Sequence, residues 1–192
     1  MKARRSALVV VLVSLLAAWA IRAAQDTNET PDPVFSRLAT DVVLEFSWRD
    51  PRTLRTRHLS FHGDGTVEAR EFGFQSKATT TTRAWKLEDF DLEKALSRED
   101  LRILATSNQE KMLTAIRAAG ARPDAAADAG PLEFVLHFLS GESGDFESKR
   151  YVVGDPIRLS EAFPNVPETR ALAALLRFVR SSIPVEPESG ED

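Results

Sequence analysis

Cysteine is absent from all 192 residues of this chain. Without it, the chain can form no disulfide, thiolate metal site, cysteine nucleophile or thiol-linked lipid anchor. A basic surplus is also missing, because 25 lysine and arginine residues are outnumbered by 29 aspartate and glutamate residues, giving a net charge of -4. Since broad nucleic-acid binding usually needs excess positive charge, this balance argues against a nucleic-acid partner.

The sequence motifs of common enzyme classes are missing as well. No GxGxxG or GxxxxGK loop is present to hold a nucleotide cofactor, and no GxSxG elbow surrounds a serine. The only histidines are His58, His62 and His137, so few imidazole bases exist for nucleophilic catalysis. We therefore predict no catalytic residues, no cofactor-binding residues and no metal ligands, and the sequence favours a non-catalytic function.

Two local sequence patterns resemble metal-binding motifs but lack the ligand spacing or number that a metal site requires. His58 and His62 share a strand face but lie four residues apart, or about 13 Å, which is too far to bind one ion. Asp64 stands between Gly63 and Gly65 but lacks the further acidic ligands of a calcium loop. We interpret Asp64 as a turn residue and His62 as a solvent-facing histidine beside that turn, and either histidine could approach an acidic side chain across strands.

The N-terminus predicts export. A basic start, MKARR, precedes an uncharged apolar run of 15 residues from Ala7 to Ile21, and Ala18-Trp19-Ala20 has the small-x-small pattern of a cleavage site. We predict a signal peptide over residues 1–20, with cleavage as late as residue 24. A retained membrane anchor is the alternative, and membrane contact is expected only in that case. The signal peptide is preferred because the run is shorter than a typical span of about 17–25 residues.

The rest of the chain divides into three parts. Residues 21–37 are polar and carry two prolines, which predicts a flexible lead-in. Residues 38–183 are expected to form a single domain, and residues 184–192 a disordered acidic tail. Export without cysteine, in a chain rich in alanine, arginine and acidic residues, is typical of a bacterial protein in the periplasm or outside the cell.

Hydrophobic alternation predicts strands over the first half of the domain. Residues 42–48 alternate strictly, and strands at about 55–62 and 66–73 flank the Gly63-Asp64-Gly65 break, as in a hairpin. A threonine-rich segment, 80–87, supplies a fourth strand. The short connections predict an antiparallel four-strand meander.

The second half mixes helices and strands. Ser97 begins a predicted helix that ends at Gly120 and could divide at Ser107, and a low-complexity loop follows over residues 121–131. Strands at 132–139 and 146–153 form a hairpin, and the last helix runs from Pro167 to a stop at Pro184. The order is four-strand meander, helix, hairpin, helix, which predicts an α+β fold with an antiparallel sheet and the helices packed on one face.

A basic patch is the candidate interaction site. It comprises Arg49, Arg52, Arg55, Arg57 and His58, on the first connection between strands. Arginine forks suit carboxylates and phosphates, so the patch could bind an acidic partner or lipid headgroups. The alternative is a charged sheet edge that discourages aggregation.

An acidic cluster before the first helix is the candidate for enzymatic chemistry. It comprises Glu88, Asp89, Asp91 and Glu93, with Asp100 nearby. Carboxylate pairs can perform acid–base work, although acidic residues also favour helix starts through the helix dipole.

Three functions follow from these patterns. The leading one is an exported, non-catalytic α+β domain that acts as a protein-interaction module, with a protein partner in the cell envelope. The first alternative is a carrier of a small apolar ligand, held in a pocket between sheet and helices. The second is an enzyme that uses the carboxylates from Glu88 to Asp100.

Overall fold

Alternating apolar side chains produce the strands of this domain, side-chain caps begin its four shorter helices, and an apolar stripe packs the longest one. The computed structural model describes residues 32–49, 55–72, 79–88, 90–120, 131–140 and 145–184. The expected signal peptide, the loop over residues 121–130 and the tail after Pro184 lie outside the described residues.

The described residues form six strands and five helices. The strands are β1 (Val42–Arg49), β2 (Thr56–His62), β3 (Thr66–Phe72), β4 (Thr79–Lys86), β5 (Leu132–Ser140) and β6 (Asp145–Val153). The helices are α1 (Leu92–Ala95), α2 (Arg98–Thr106), α3 (Gln109–Ala118), α4 (Pro156–Ala162) and α5 (Pro167–Ser182). All six expected strands are confirmed, with their ends shifted by at most one residue.

The strands form one antiparallel sheet with the order β4-β3-β2-β1-β5-β6. The four-strand meander and the β5–β6 hairpin meet through β1 and β5, so β1 and β5 lie at the centre of the sheet. The helices lie on one side of this sheet. The predicted α+β class is therefore confirmed.

The core lies between the helices and one face of the sheet. Phe46 on β1 pairs with Leu59 on β2 and Phe134 on β5, and all three side chains are buried. Because side chains alternate between sheet faces, every second residue of these strands is apolar and faces the helices. The centroids of Phe61 on β2 and Phe178 on α5 are 5.8 Å apart, so α5 packs directly on this face.

The helix that the sequence predicts from Ser97 to Gly120 is two helices. α2 ends at Thr106, and the Asn108 side chain caps α3 by accepting a hydrogen bond from the Lys111 amide over 2.9 Å. Ser107 donates a 2.6 Å hydrogen bond to the buried Glu168 carboxylate of α5. Ser107, whose partner lies on another helix, and Asn108, which caps α3, thus make the break that the sequence left open.

Two short helices were absent from the sequence prediction. α1 has four residues and α4 has seven, and each begins at a capping aspartate, Asp91 and Asp155. Segments of one or two turns are too short to display a helical period, so only the cap residues could have signalled them.

Part of the expected lead-in is packed into the domain. The Leu139 amide donates a 2.8 Å hydrogen bond to the Val34 carbonyl, and Phe35 is 4% exposed with its ring 4.9 Å from that of Phe138. Val34 and Phe35, within the segment expected to be a flexible lead-in, thus contact the end of β5. An isolated pair of apolar residues after two prolines has no periodicity that reveals its burial.

The β2–β3 turn also organises its neighbours. A Cβ at Gly63 would overlap the Ser36 carbonyl oxygen and lie 2.8 Å from the Leu38 nitrogen. Gly65 has a φ of +88°, and a Cβ there would lie 2.7 Å from the Phe90 Cβ. The two glycines let this turn contact the segment before β1 on one side and Phe90 on the other.

The turn predicts different costs for two glycine substitutions. Gly120 shares the φ of +88° but has open space around it, so Gly120→Ala should cost only the left-handed strain, about 1 kcal/mol. Gly65→Ala adds overlap with Phe90 and should cost about 1–3 kcal/mol more. Urea unfolding followed by circular dichroism measures both, and equal costs would show that Phe90 yields without penalty.

Asp64 predicts a pH dependence of stability. Its carboxylate accepts hydrogen bonds from the Thr66 amide (2.9 Å) and from Lys86 (3.1 Å), and these lower its pKa from 3.8 to about 2. A depressed folded-state pKa stabilises the fold above the unfolded value, and this contribution is lost as pH falls from about 4 to about 2. The stability difference between wild type and Asp64→Asn should therefore shrink over that window. Urea titrations at pH 6, 4, 3 and 2 test this, and a constant difference would contradict it.

Candidate functional site

The structure separates the residues of the basic patch. Alternation along β2 sends Arg57 to the helix-covered face, where its guanidinium carbon is 6.0 Å from the Trp48 ring centroid. His58 points to the opposite face, where its Nε2 atom lies 3.3 Å from Glu45. Arg49 ends β1 and is exposed, whereas Arg52 lies outside the described residues.

Glu71 neutralises part of the patch. It lies opposite Arg57 in the β2–β3 register and receives ion pairs from Arg55 (2.7 Å) and Arg57 (3.3 Å). The Arg55 hydrogen bond, together with the positive charge of Arg57, holds the pKa of Glu71 below its usual range. One carboxylate shared by two arginines leaves this corner of the sheet less basic than the sequence suggests.

A pocket of about 400 Å³ opens beside Arg57, on the helix-covered face. Its floor is the sheet and one wall is the chain that leaves α5, Ile183 and Pro184. The remaining lining comes from β1 to β4: Trp48, Arg57, His58, Leu59, Ala69, Arg70, Glu71, Arg83 and Trp85. The pocket exists because α5 ends at Ser182, leaving this corner of the sheet uncovered, and because Ala69 is a small residue in its floor.

Trp85 joins the sheet to the end of α5. Its indole N–H donates a 3.0 Å hydrogen bond to the carbonyl of Ser182, the last residue of that helix. Carbonyls at a helix end have no partner inside the helix, so this bond satisfies one of them and positions Ile183 and Pro184 at the pocket wall. Trp85 and Trp48 thus supply two large aromatic surfaces in one pocket.

The side chains of the pocket combine apolar walls with positive charge. Arg57 and Arg83 place two positive charges on the pocket face of the sheet, and Glu71 contributes the one negative charge of the lining. Arg70 borders the pocket, but its guanidinium pairs with Glu68 at 2.9 Å on the other face. The lining can therefore hold an apolar body beside arginines that suit a carboxylate or phosphate.

The acidic cluster that the sequence proposed for catalysis has structural partners. Asp91 caps α1 through a 3.0 Å bond from the Glu93 amide, and Arg37 bridges Asp91 and Glu93 at 3.4 and 3.2 Å. Asp100 belongs to the cap of α2 and accepts a hydrogen bond from Arg170. Asp89 lies outside the described residues. Asp91, Glu93 and Asp100 thus cap helices or form ion pairs, whereas Glu88 is exposed after β4.

A polar network on the helix-free face went unrecognised in the sequence. The Glu45 carboxylate lies 2.9 Å from His137 Nε2 and 3.3 Å from His58 Nε2. Each imidazole binds a serine through Nδ1 over 2.8 Å, His58 to Ser47 and His137 to Ser148. The sequence feature that could have predicted this network is the alternation of polar residues on neighbouring strands. It identifies the contacts only when the strand register is known.

This network contains the residue types of a serine hydrolase without its surroundings. Such enzymes stabilise a developing oxyanion with backbone N–H groups that are free to point at the substrate. Ser47 lies on β1, which pairs with a strand on each side, so the amides around it belong to the sheet ladder. We assign the network a structural role that satisfies polar side chains on the sheet.

His62 differs from the expected solvent-facing histidine. Its side chain is 14% exposed, and neither ring nitrogen has a hydrogen-bond partner among the described residues. The nearest acid is Glu68, whose oxygen lies 3.9 Å from Nε2. Val42 pairs with His62 across β1 and β2, so a strand lies beside the ring where the sequence suggested open solvent.

The arrangement of potential metal ligands and the character of the helices limit the kinds of site that the described residues can form. Within the described ranges, no three histidine, aspartate or glutamate side chains are placed to share a metal ion. None of the described helices has the length and apolar character needed to cross a membrane.

Trp85→Phe tests the bond that forms the pocket wall. Loss of the hydrogen bond to Ser182 should cost about 1 kcal/mol of stability and speed amide hydrogen exchange in the last turn of α5. Trp48→Phe is the control, because it shortens the other aromatic wall and leaves the α5 contact intact. Equal exchange rates in α5 for the two variants would contradict the anchoring role of Trp85.

Neither a protein-family model nor the sequence of a curated protein matches this chain, so its residues and their geometry carry the functional argument.

Proposed function

We propose that this chain is an exported, non-catalytic binding domain for a small amphipathic ligand. The ligand would have an apolar body and one anionic group, and it would occupy the pocket between Trp48 and Trp85. This is the carrier function that the sequence offered as an alternative, refined by the charge of the pocket. Export remains part of the proposal and is supported by the basic start and apolar run of residues 1–20.

The observation that carries the proposal is the pocket itself. Its volume of about 400 Å³ falls in the usual range for small-molecule sites, about 300–1,000 Å³. Leu59, Ala69 and Ile183 add apolar surface to that of the two indoles. An apolar chain or ring that enters here is removed from water on several sides, which favours binding in proportion to the area buried.

The charges favour an anionic ligand over a cationic one. Glu71 is the single acidic residue of the lining, and its two oxygens already bind Arg55 and Arg57. A cation would have to compete with these arginines for one carboxylate. A carboxylate on the ligand would instead add to the partners of Arg57 and Arg83 and form charge-assisted hydrogen bonds.

The pocket supports the carrier function better than the other two. A protein-interaction module remains the second candidate, but Glu71 reduces the net charge of the basic patch, and Arg57 and His58 lie on opposite faces. The enzyme function has less support, because Asp91, Glu93 and Asp100 of the acidic cluster cap helices or pair with arginines.

Intrinsic fluorescence gives a direct test. The chain has tryptophan at positions 19, 48 and 85, so in a Trp19→Phe variant both remaining indoles line the pocket. Decanoate, decanol and decyltrimethylammonium share one apolar chain and differ in head-group charge. Decanoate should change the emission and bind about tenfold more tightly than decanol, since a hydrogen bond to a charged group is worth about 1.5–3 kcal/mol.

Variants then locate the binding site. Arg57→Gln and Arg83→Gln should each remove most of the preference for decanoate over decanol while decanol binding persists. Arg158→Gln is the control, because this α4 residue is 79% exposed and lies outside the pocket lining. Equal affinity for the three ligands, or no change in emission up to their solubility limits, would refute the proposal.

A further inference from the structure

The outer edge of β6 is blocked at one point. β6 is the last strand of the described sheet, and β5 is its one neighbouring strand there. The Gln109 carboxamide of α3 donates a 2.7 Å hydrogen bond to the Val152 carbonyl and accepts a 2.9 Å bond from the Val152 amide. It therefore occupies the place that a further strand would take, and the backbone groups of Val152 point away from β5.

The outward direction of the Val152 backbone N–H and C=O groups fixes the direction of these groups along the rest of β6. In an antiparallel ladder, alternate residues direct their backbone groups to opposite sides, so Phe146, Ser148 and Arg150 also point outward. The opposite end of the hairpin agrees independently. Leu139 lies opposite Phe146 in the β5–β6 ladder, but its amide bonds to the Val34 carbonyl on the other side of β5. Leu139 and Phe146 therefore form a non-hydrogen-bonded pair, and the backbone groups of Phe146 point away from β5. The open part of the edge thus runs from Phe146 to Arg150, with Ser148 at its centre.

We propose that this edge binds β6 of a second copy of the chain, antiparallel about a two-fold axis at Ser148. The pairing places Ser148 opposite itself, Glu147 opposite Lys149, and Phe146 opposite Arg150. Outward-pointing residues then meet outward-pointing residues, as a hydrogen-bonded ladder requires. The two six-stranded sheets become one continuous sheet, closed by the symmetry.

Charge complementarity selects this register over the others. Centring the axis on Glu147, Lys149 or Arg150 would place that charged residue opposite its own copy, which is unfavourable in a sheet. Centring it on Phe146 would place Asp145 opposite Glu147. The axis at Ser148 is the one centre in the open edge that places opposite charges together, twice, without also placing like charges opposite each other.

Side chains near the axis are suited to such contacts. Lys149 already binds Glu147 within one chain over 2.6 Å, so the same two residue types would form a four-membered charge cluster across the axis. Phe146 is 44% exposed, and the facing Arg150 can lie against its ring.

The other edge of the sheet lacks this complementarity. β4 carries Arg83 and Lys86 and has no acidic residue to pair with them in a second copy. An edge with charges of one sign is a common protection against pairing. In β6 the acidic residues precede Ser148 and the basic residues follow it, so an antiparallel second copy meets opposite charges.

Sedimentation equilibrium of the full chain and its charge variants tests the pairing. Because only five residues of each copy pair, the dimer is expected to be weak, and the concentration series should reach about 1 mM. Glu147→Lys and Lys149→Glu should each weaken dimerisation at least about tenfold, because each places like charges across the axis. The double variant Glu147→Lys/Lys149→Glu restores opposite charges and should return the dissociation constant to within about threefold of wild type.

Cross-linking provides a second measurement that does not depend on those charges. The native chain has no cysteine, and residues facing each other in a hydrogen-bonded antiparallel pair lie about 5.5 Å apart at Cα, within reach of a disulfide. Ser148→Cys should therefore form a covalent dimer under mild oxidation much faster than Ser181→Cys, an exposed control on α5.

Four outcomes would overturn the proposal, and three of them come from the concentration series and the variants. These are a monomer at every concentration, equal cross-linking of the two cysteine variants, or a charge-swapped double variant as weak as the single ones. Species that keep growing beyond a dimer would also overturn it, since a two-fold contact closes after two copies. Circular dichroism of each variant confirms that the fold is retained.

Discussion

Burial of one apolar sheet face beneath α5 is the interaction on which the rest of the structure depends. The central strands place Leu44, Phe46 and Phe134 on that face, and α5 covers the face with side chains such as Leu172 and Leu176. Each buried side chain of this size contributes roughly 1.5–3 kcal/mol. The strand register, the position of the shorter helices and the division of the sheet into two chemically different faces all follow from this contact.

The limits of that contact create the candidate sites. α5 ends at Ser182, and the sheet beyond it forms the pocket between Trp48 and Trp85. On the other face, the described strands carry histidines, serines and acids that bond to one another around Glu45. At the edge, Gln109 blocks Val152 and leaves open the part of β6 that has acids before Ser148 and bases after it. The pocket, the polar network and the open edge of β6 thus all lie where the helices do not cover the sheet.

The sequence predicted the strands well because their signal is local. Every second residue of β1 is apolar, and glycines at 63 and 65 mark the turn between β2 and β3. It failed for α1 and α4, which are too short for a helical period, and for Phe35, whose burial depends on Phe138 far along the chain. Within the candidate site, the predicted basic patch includes Arg57 but omits Trp85 and Ile183. These residues were missed because the pocket is built from strands and a helix end that are distant in sequence.

Local sequence patterns were enough to predict the α+β class, the strands and their division into apolar and polar sides, since these properties depend on neighbouring residues. Three features emerge only in the folded chain: Arg57 and His58 lie on different faces, Glu71 binds two arginines, and His58 and His137 share Glu45. These facts depend on register and on the point where α5 ends. Both are set by packing between segments up to about a hundred residues apart, whose pairing no local pattern encodes.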